Sequence, residues 1–143
     1  MSDRSPILRL EDLRTYFKTD AGLAKAVDGV NLTVAPGESV GVVGESGSGK
    51  SVTMLSVMRL VPVPPAEHKG RVLWKGESVL DWPARRLRKF RGHECAMIFQ
   101  DPMTSLNPVL TIGRQIREVL ETHFGMDKHD AEERTAELLD RVG

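Results

Sequence analysis

Apolar positions recur loosely at every second residue over residues 7–19, where Leu8, Leu10, Leu13, Tyr16 and Phe17 interrupt a polar background. That spacing predicts a half-buried strand. It runs to an aromatic pair and then a turn over Asp20-Ala21-Gly22. Residues 23–34 predict a second strand, interrupted near Asp28-Gly29. Pro36-Gly37-Glu38 is a tight turn. It leads into Ser39-Val40-Gly41-Val42-Val43, a short valine-rich run expected to be a buried strand. Residues 52–60 hold good helix formers with no Gly or Pro and predict a helix. Val61-Pro62-Val63-Pro64-Pro65 cannot be helical and is a connector. Residues 70–76 predict a strand bounded by glycines. Trp82-Pro83 opens a short basic helix to about Phe90. Glu94-Cys95-Ala96-Met97-Ile98-Phe99 predicts another buried strand. From Leu110 the period becomes helical. Ile112, Ile116, Val119 and Leu120 share a face up to Gly125, and residues 130–142 predict a second helix.

Composition narrows the class rather than the function. With 143 residues, 40% hydrophobic and 28% charged, the chain can build one domain with a real core. Its formal net charge of zero gives no global pull toward nucleic acid or an anionic membrane. One cysteine, Cys95, excludes an intrachain disulfide and fits a reducing compartment. No apolar run reaches the length of a membrane span, and Met1-Ser2-Asp3-Arg4-Ser5-Pro6 lacks a signal-peptide core, so a cytosolic location is expected.

The chemistry is concentrated in Gly44-Glu45-Ser46-Gly47-Ser48-Gly49-Lys50-Ser51, which satisfies G-x-x-x-x-G-K-[ST]. It lies between a predicted strand and a predicted helix, the context in which such a loop binds phosphate. Glycines let the backbone approach a ligand and turn successive N–H groups inward as an anion nest. The following helix adds its positive end. Lys50 supplies a mobile charge for the β- and γ-phosphates, and the Ser51 hydroxyl is placed to ligate Mg²⁺. A dinucleotide fingerprint fits worse, because Val52 stands where its third glycine is needed.

Three stretches together resemble the ATP-binding subunits of ABC transporters, in the oligopeptide, dipeptide and nickel importer branch. One is the loop with its flanks, from Val42-Val43 to Val52-Thr53. Another is Ala96-Met97-Ile98-Phe99-Gln100-Asp101-Pro102-Met103-Thr104-Ser105-Leu106-Asn107-Pro108, which is similar to the family's Q-loop and its continuation. The last is Ala26-Val27-Asp28-Gly29-Val30 with Ala35-Pro36-Gly37-Glu38. The resemblance implies an α/β fold: a P-loop NTPase core with an N-terminal antiparallel β subdomain over about residues 1–100 and the start of an α-helical subdomain over about 101–143. It implies ATP and Mg²⁺ as ligands. Gly44, Glu45, Ser46, Gly47, Ser48, Gly49, Lys50, Ser51 and Val52 would surround the phosphates, and Ser51 and Gln100 would share the metal. Phe17, with Tyr16 as the substitute, would stack on adenine; read from the residues alone, Phe17 is a core aromatic on a strand and Gln100 a polar residue at a strand end.

The same resemblance implies a transmembrane permease as partner, docked where Leu106, Pro108, Val109 and Leu110 either meet it or pack internally. It also implies a second ATP-binding subunit and a cytoplasmic place on the inner face of the membrane. No Leu-Ser-Gly-Gly-Gln-like signature, no apolar strand ending in Asp-Glu and no switch histidine follow Gln100. The chain is therefore expected to be an N-terminal fragment of a longer ATPase that does not hydrolyse ATP alone. The other readings are a non-transport P-loop ATPase or kinase and an inactive remnant. A GTPase is disfavoured by the lack of an Asn-Lys-x-Asp motif.

The remaining residues carry less. Arg85, Arg86, Arg88, Lys89 and Arg91 read as a solvated helix face rather than a nucleic-acid patch. His93-Glu94-Cys95 would point to opposite faces of a strand and make a poor chelate. Cys95, Trp74 and Trp82 read as packing residues, and His123 and His129 flank a glycine turn without spaced partners.

Overall fold

A computed structural model of the chain describes residues 5–101 and 105–143. Pro102, Met103 and Thr104 of the Q-loop continuation, and the first four residues, lie outside the described residues. The chain divides into two units, Met1–Pro83 and Ala84–Gly143.

The first unit is built on a long hairpin. Strand β1 (Leu8–Thr19) and strand β2 (Gly22–Val34) pair antiparallel from Leu8↔Val34 to Thr19↔Gly22. The alternation read from the sequence is what this sheet buries. Leu10, Leu13, Tyr16 and Val27 are buried together with Val72 and Trp74 of strand β3 (Ala66–Trp74). Each fully buried aliphatic contributes about 1.5–3 kcal/mol against exposure. Strand β4 (Glu77–Ser78) completes an all-antiparallel sheet in the order β2-β1-β3-β4. The interruption expected near Gly29 is present: Leu13 pairs with Val30 and Arg14 with Asp28, leaving Gly29 out of register at φ 82°.

Gly70 departs from its expected place at a strand boundary. It sits inside β3 at φ 80°, where a Cβ would lie 2.2 Å from the Asp12 carbonyl oxygen. The β1–β3 register shifts there, between Glu11 and Arg14, so the glycine marks a close backbone approach rather than an end.

Two other expectations fail. Residues 39–43 and 95–99 form no strand, and neither joins the sheet among the described residues. Val43 is 93% exposed and Ile98 96%. Glu94, expected to begin the later strand, instead closes a π turn over Phe90–Glu94. Apolar segments of a parallel sheet are stabilised by neighbours on both sides, and neither segment has one among the described residues. Helix α1 (Lys50–Val57) does form after the glycine loop, burying Thr53, Ser56 and Val57.

The second unit begins with helix α2 (Ala84–Lys89), which runs into that π turn. Arg86 is not part of a free basic face, since its guanidinium grips both Glu94 carboxylate oxygens at 2.6 and 3.2 Å. Helix α3 (Ile112–Phe124) starts at Thr111, whose hydroxyl accepts from the Arg114 N–H, and ends on Gly125 at φ 67°. Helix α4 (Lys128–Asp140) is capped by Asp127, whose carboxylate accepts from the Asp130 N–H. Phe90, Leu87, Leu120, Ala131 and Thr135 are the buried residues of the second unit among those described. No helix among the described residues is long and apolar enough to cross a membrane.

Candidate phosphate-binding loop

The loop from Gly44 to the start of α1 is shaped by its glycines. Gly47 and Gly49 take φ 79° and 89°, conformations that L side chains rarely adopt. At Gly49 the constraint is double. A Cβ there would stand 2.3 Å from the Ala26 carbonyl oxygen and 3.8 Å from Val27 Cγ2, so the loop is pressed against β2. Gly49 then serves as the N-cap of α1 without a side-chain cap. Its carbonyl accepts from both the N–H and the hydroxyl of Thr53, each at 2.8 Å.

Lys50 folds back over the loop. Its ammonium donates to the carbonyls of Gly44 and Glu45 at 2.7 and 2.6 Å, and to the Ser48 hydroxyl at 3.2 Å. The Ser48 N–H closes the turn onto Glu45 at 3.2 Å. The cation is thereby held at the mouth of the loop by neutral oxygens, with no carboxylate among the three. Beside it lies a cavity of about 150 Å³ lined by Ala26, Gly47, Ser48, Gly49, Lys50, Ser51 and Val52. That is smaller than the ~300–1,000 Å³ of a drug-sized ligand pocket and suits a phosphate group rather than a whole nucleotide. Glycine backbone, a helix N-terminus and a mobile cation form a donor set for anionic oxygens. Glu45, Ser46 and Ser51 are exposed, Glu45 and Ser46 in the loop and Ser51 in the first turn of α1.

Of the other sequence-derived candidates, Phe17 is half-buried and pairs with Ala24 and Ala66 in the sheet. It is not among the residues lining the loop cavity. Tyr16 is buried and committed: its phenol donates to the Asp28 carboxylate, and Lys25 Nζ stands 5.5 Å from its ring centre. The Tyr16 hydrogen bond, opposed by some desolvation and helped by Lys25 and Arg14, holds the Asp28 carboxyl below its usual range. Gln100 is exposed in a bend of the second unit, while Ser51 belongs to the first. Leu106, Pro108 and Val109 are exposed and Leu110 half-buried.

No group of three or more His, Cys, Asp or Glu suited to a metal occurs among the described residues. Cys95 is half-buried, which raises its thiol pKa. The His123 ring lies over Gly92, where a Cβ would stand 2.0 Å from its atoms, and His93 meets Phe124 edge-on at 5.2 Å. Sequence reasoning missed Ala26 as a cavity residue. A small residue on the strand facing Gly49 is the signal, and it becomes readable only once that strand is placed against the loop.

The profile of the ABC transporter family matches residues 27–143. A Brucella abortus protein named for peptide import is 53% identical over 138 residues, covering 96% of this chain and 42% of its own length. The oligopeptide transport ATP-binding protein OppD of Bacillus subtilis is 46% identical, with 96% of this chain and 38% of OppD aligned. Among solved structures, the dimeric ABC transporter cassette MJ0796 superposes with a TM-score of 0.76 at 26% identity, over 93% of this chain and 56% of that one. A post-hydrolysis form of the same cassette, bound to ADP and Pi, gives 0.78. The chain thus spans less than half the length of those curated relatives. Its fold is that of an incomplete α/β ATPase cassette with an antiparallel sheet, and the chain belongs to the ABC transporter family.

Proposed function

We propose that this chain is the nucleotide-binding part of an ATP-binding subunit that drives peptide import. The observation that carries the reading is the Lys50 ammonium poised over a glycine loop that no Cβ-bearing residue could form at Gly49. The amides around the small cavity receive the phosphates and Lys50 exchanges its loop carbonyls for phosphate oxygens. Ser51 and Gln100 are the proposed Mg²⁺ ligands, and Phe17 the adenine platform. When bound, the metal supplies charge neutralisation to the phosphates. The names of the relatives favour peptides over nickel as cargo.

The partners proposed are a permease, met through Leu106, Pro108, Val109 and Leu110, and a second ATP-binding subunit. They place the protein on the cytoplasmic face of the membrane. These 143 residues hold a cradle and a lysine but no Asp-Glu strand end to polarise water, so the chain alone binds without turnover. The exposure of Val43 favours a second reading, a remnant whose loop is too weakly supported to bind.

Titration with ATP in Mg²⁺, with ADP and AMP as competitors, tests the proposal. Affinity should rise with phosphate number, with no phosphate released over hours. Equal affinity for AMP and ATP would contradict a phosphate cradle.

A further inference from the structure

Helix α1 carries the phosphate loop, yet two of its three buried residues are polar: Thr53 and Ser56, with only Val57 apolar. Ser56 and Thr15 of β1 are both completely buried. Their hydroxyl oxygens are 2.8 Å apart. Thr15 is also 3.0 Å from His68 Nδ1 on β3, its direct partner in the sheet register. Ser56 donates to the Val52 carbonyl at 2.7 Å.

The proton order follows from the chemistry of the groups. With the Ser56 hydrogen spent on Val52, its oxygen accepts from Thr15, and Thr15 accepts from His68 Nδ1–H. The chain of bonds runs from β3 through β1 to the first turn of α1. It is a polar tie between the sheet and the helix that follows the phosphate loop. Apolar contacts alone would let a two-turn helix rotate, because hydrophobic burial is non-directional.

We propose that the buried pair Thr15–Ser56, anchored by His68, is a positioning element that fixes the rotation of α1 and so the aim of the phosphate-loop amides. Neither hydroxyl lines the loop cavity, and their action is through the helix. The proposal rests on the nucleotide-binding reading for its consequence, though the geometry it invokes exists without ligand.

The test is residue-resolved amide exchange on the 143-residue chain, with Mg-ATP affinity measured alongside. The reporters are the Ser48 and Thr53 amides, hydrogen-bonded at 3.2 and 2.8 Å. Thr15→Val and Ser56→Ala should each speed exchange at these two sites by ~tenfold while the β1–β3 amides keep their rates. Mg-ATP affinity should fall by about three- to tenfold in parallel. The double variant, which leaves no orphaned hydroxyl of the pair, should add little to either single change, and Thr15→Ser should restore native values. Unchanged Ser48 and Thr53 rates in all variants would overturn the proposal. So would acceleration spread evenly over the whole unit, the mark of simple destabilisation. Should the unsubstituted chain fail to bind Mg-ATP, the nucleotide reading falls, and the exchange pattern still decides whether the pair positions the loop.

Discussion

The hairpin of β1 and β2 and the stretch 39–43 both carry branched apolar residues, yet one is the core of the first unit and the other faces solvent. Leu13 is 0% exposed and Val43 93%. The difference lies in where each finds partners. The hairpin closes through a turn over Asp20-Ala21, and its widest pair, Leu8↔Val34, spans 26 positions. Its loop-closure entropy is small, and β1 is paired on both sides, by β2 and by β3, while β2 keeps one open edge. A strand of a parallel sheet takes its neighbours across long crossovers, and residues 39–43 have none among the described residues. Apolar pattern therefore defines what a segment can bury, while pairing decides whether it does. The glycine loop lies between these regimes. It is fed by the unpaired stretch but pressed onto the hairpin at Ala26, and that contact with β2 holds it in shape.

Substitutions in the two regions should separate cleanly. The largest effect on Mg-ATP binding is expected at their junction. Gly49→Ala forces a side chain into a positive-φ site and onto the Ala26 carbonyl, adding ~1–3 kcal/mol of backbone strain alone. Mg-ATP affinity should drop more than about tenfold by calorimetry. Retained affinity would show that the loop does not depend on the hairpin. Next comes Leu13→Ala, which empties a completely buried site and should lower unfolding free energy by about 2–5 kcal/mol in urea melts.

Val43→Ser and Ile98→Ser sit at the opposite pole, exposed at 93% and 96%. Each should change stability by less than about 0.5 kcal/mol and reduce self-association in light scattering. A loss as large as that of Leu13→Ala would mean that these segments pair in solution. The smallest effect concerns His68, whose pKa is lowered by burial and then by the Arg59 charge, with hydrogen bonding to the Val61 backbone opposing. It shares its cavity wall with Lys18, Arg59, Glu67, Arg71 and Asp81. Because the unfolded chain binds the proton more readily, stability is full above pH 6.5 and is lost as pH falls toward the folded pKa. His68→Gln should flatten that acid decline, and an unchanged pH profile would contradict a neutral, half-buried ring.

What could be read from the sequence was what depends on near neighbours. The hairpin, the break at Gly29, the Gly125 helix end and the glycine loop all follow from residues within a few positions of one another. The Gly70 approach to Asp12 was not legible, because it depends on β1 and β3 lying side by side across some sixty residues. The start of β3 at Ala66 was hidden by the prolines just before it, which read as a connector. The Ala26 contact and the Thr15–Ser56 pair belong to the same class. Each residue looks ordinary alone, and its role appears once sheet and helix are packed. Residues 39–43 and 95–99 fail in the other direction: their composition is that of core strands, and composition does not supply a neighbour.

The most direct test of the central claim is calorimetric titration of Mg-ATP into the chain and into Lys50→Ala. The account predicts measurable binding to the native loop and none to the variant, since the ammonium held by Gly44, Glu45 and Ser48 is the charge that meets the phosphates. Equal heats from the two proteins, or none from the native chain while it remains folded, would contradict it.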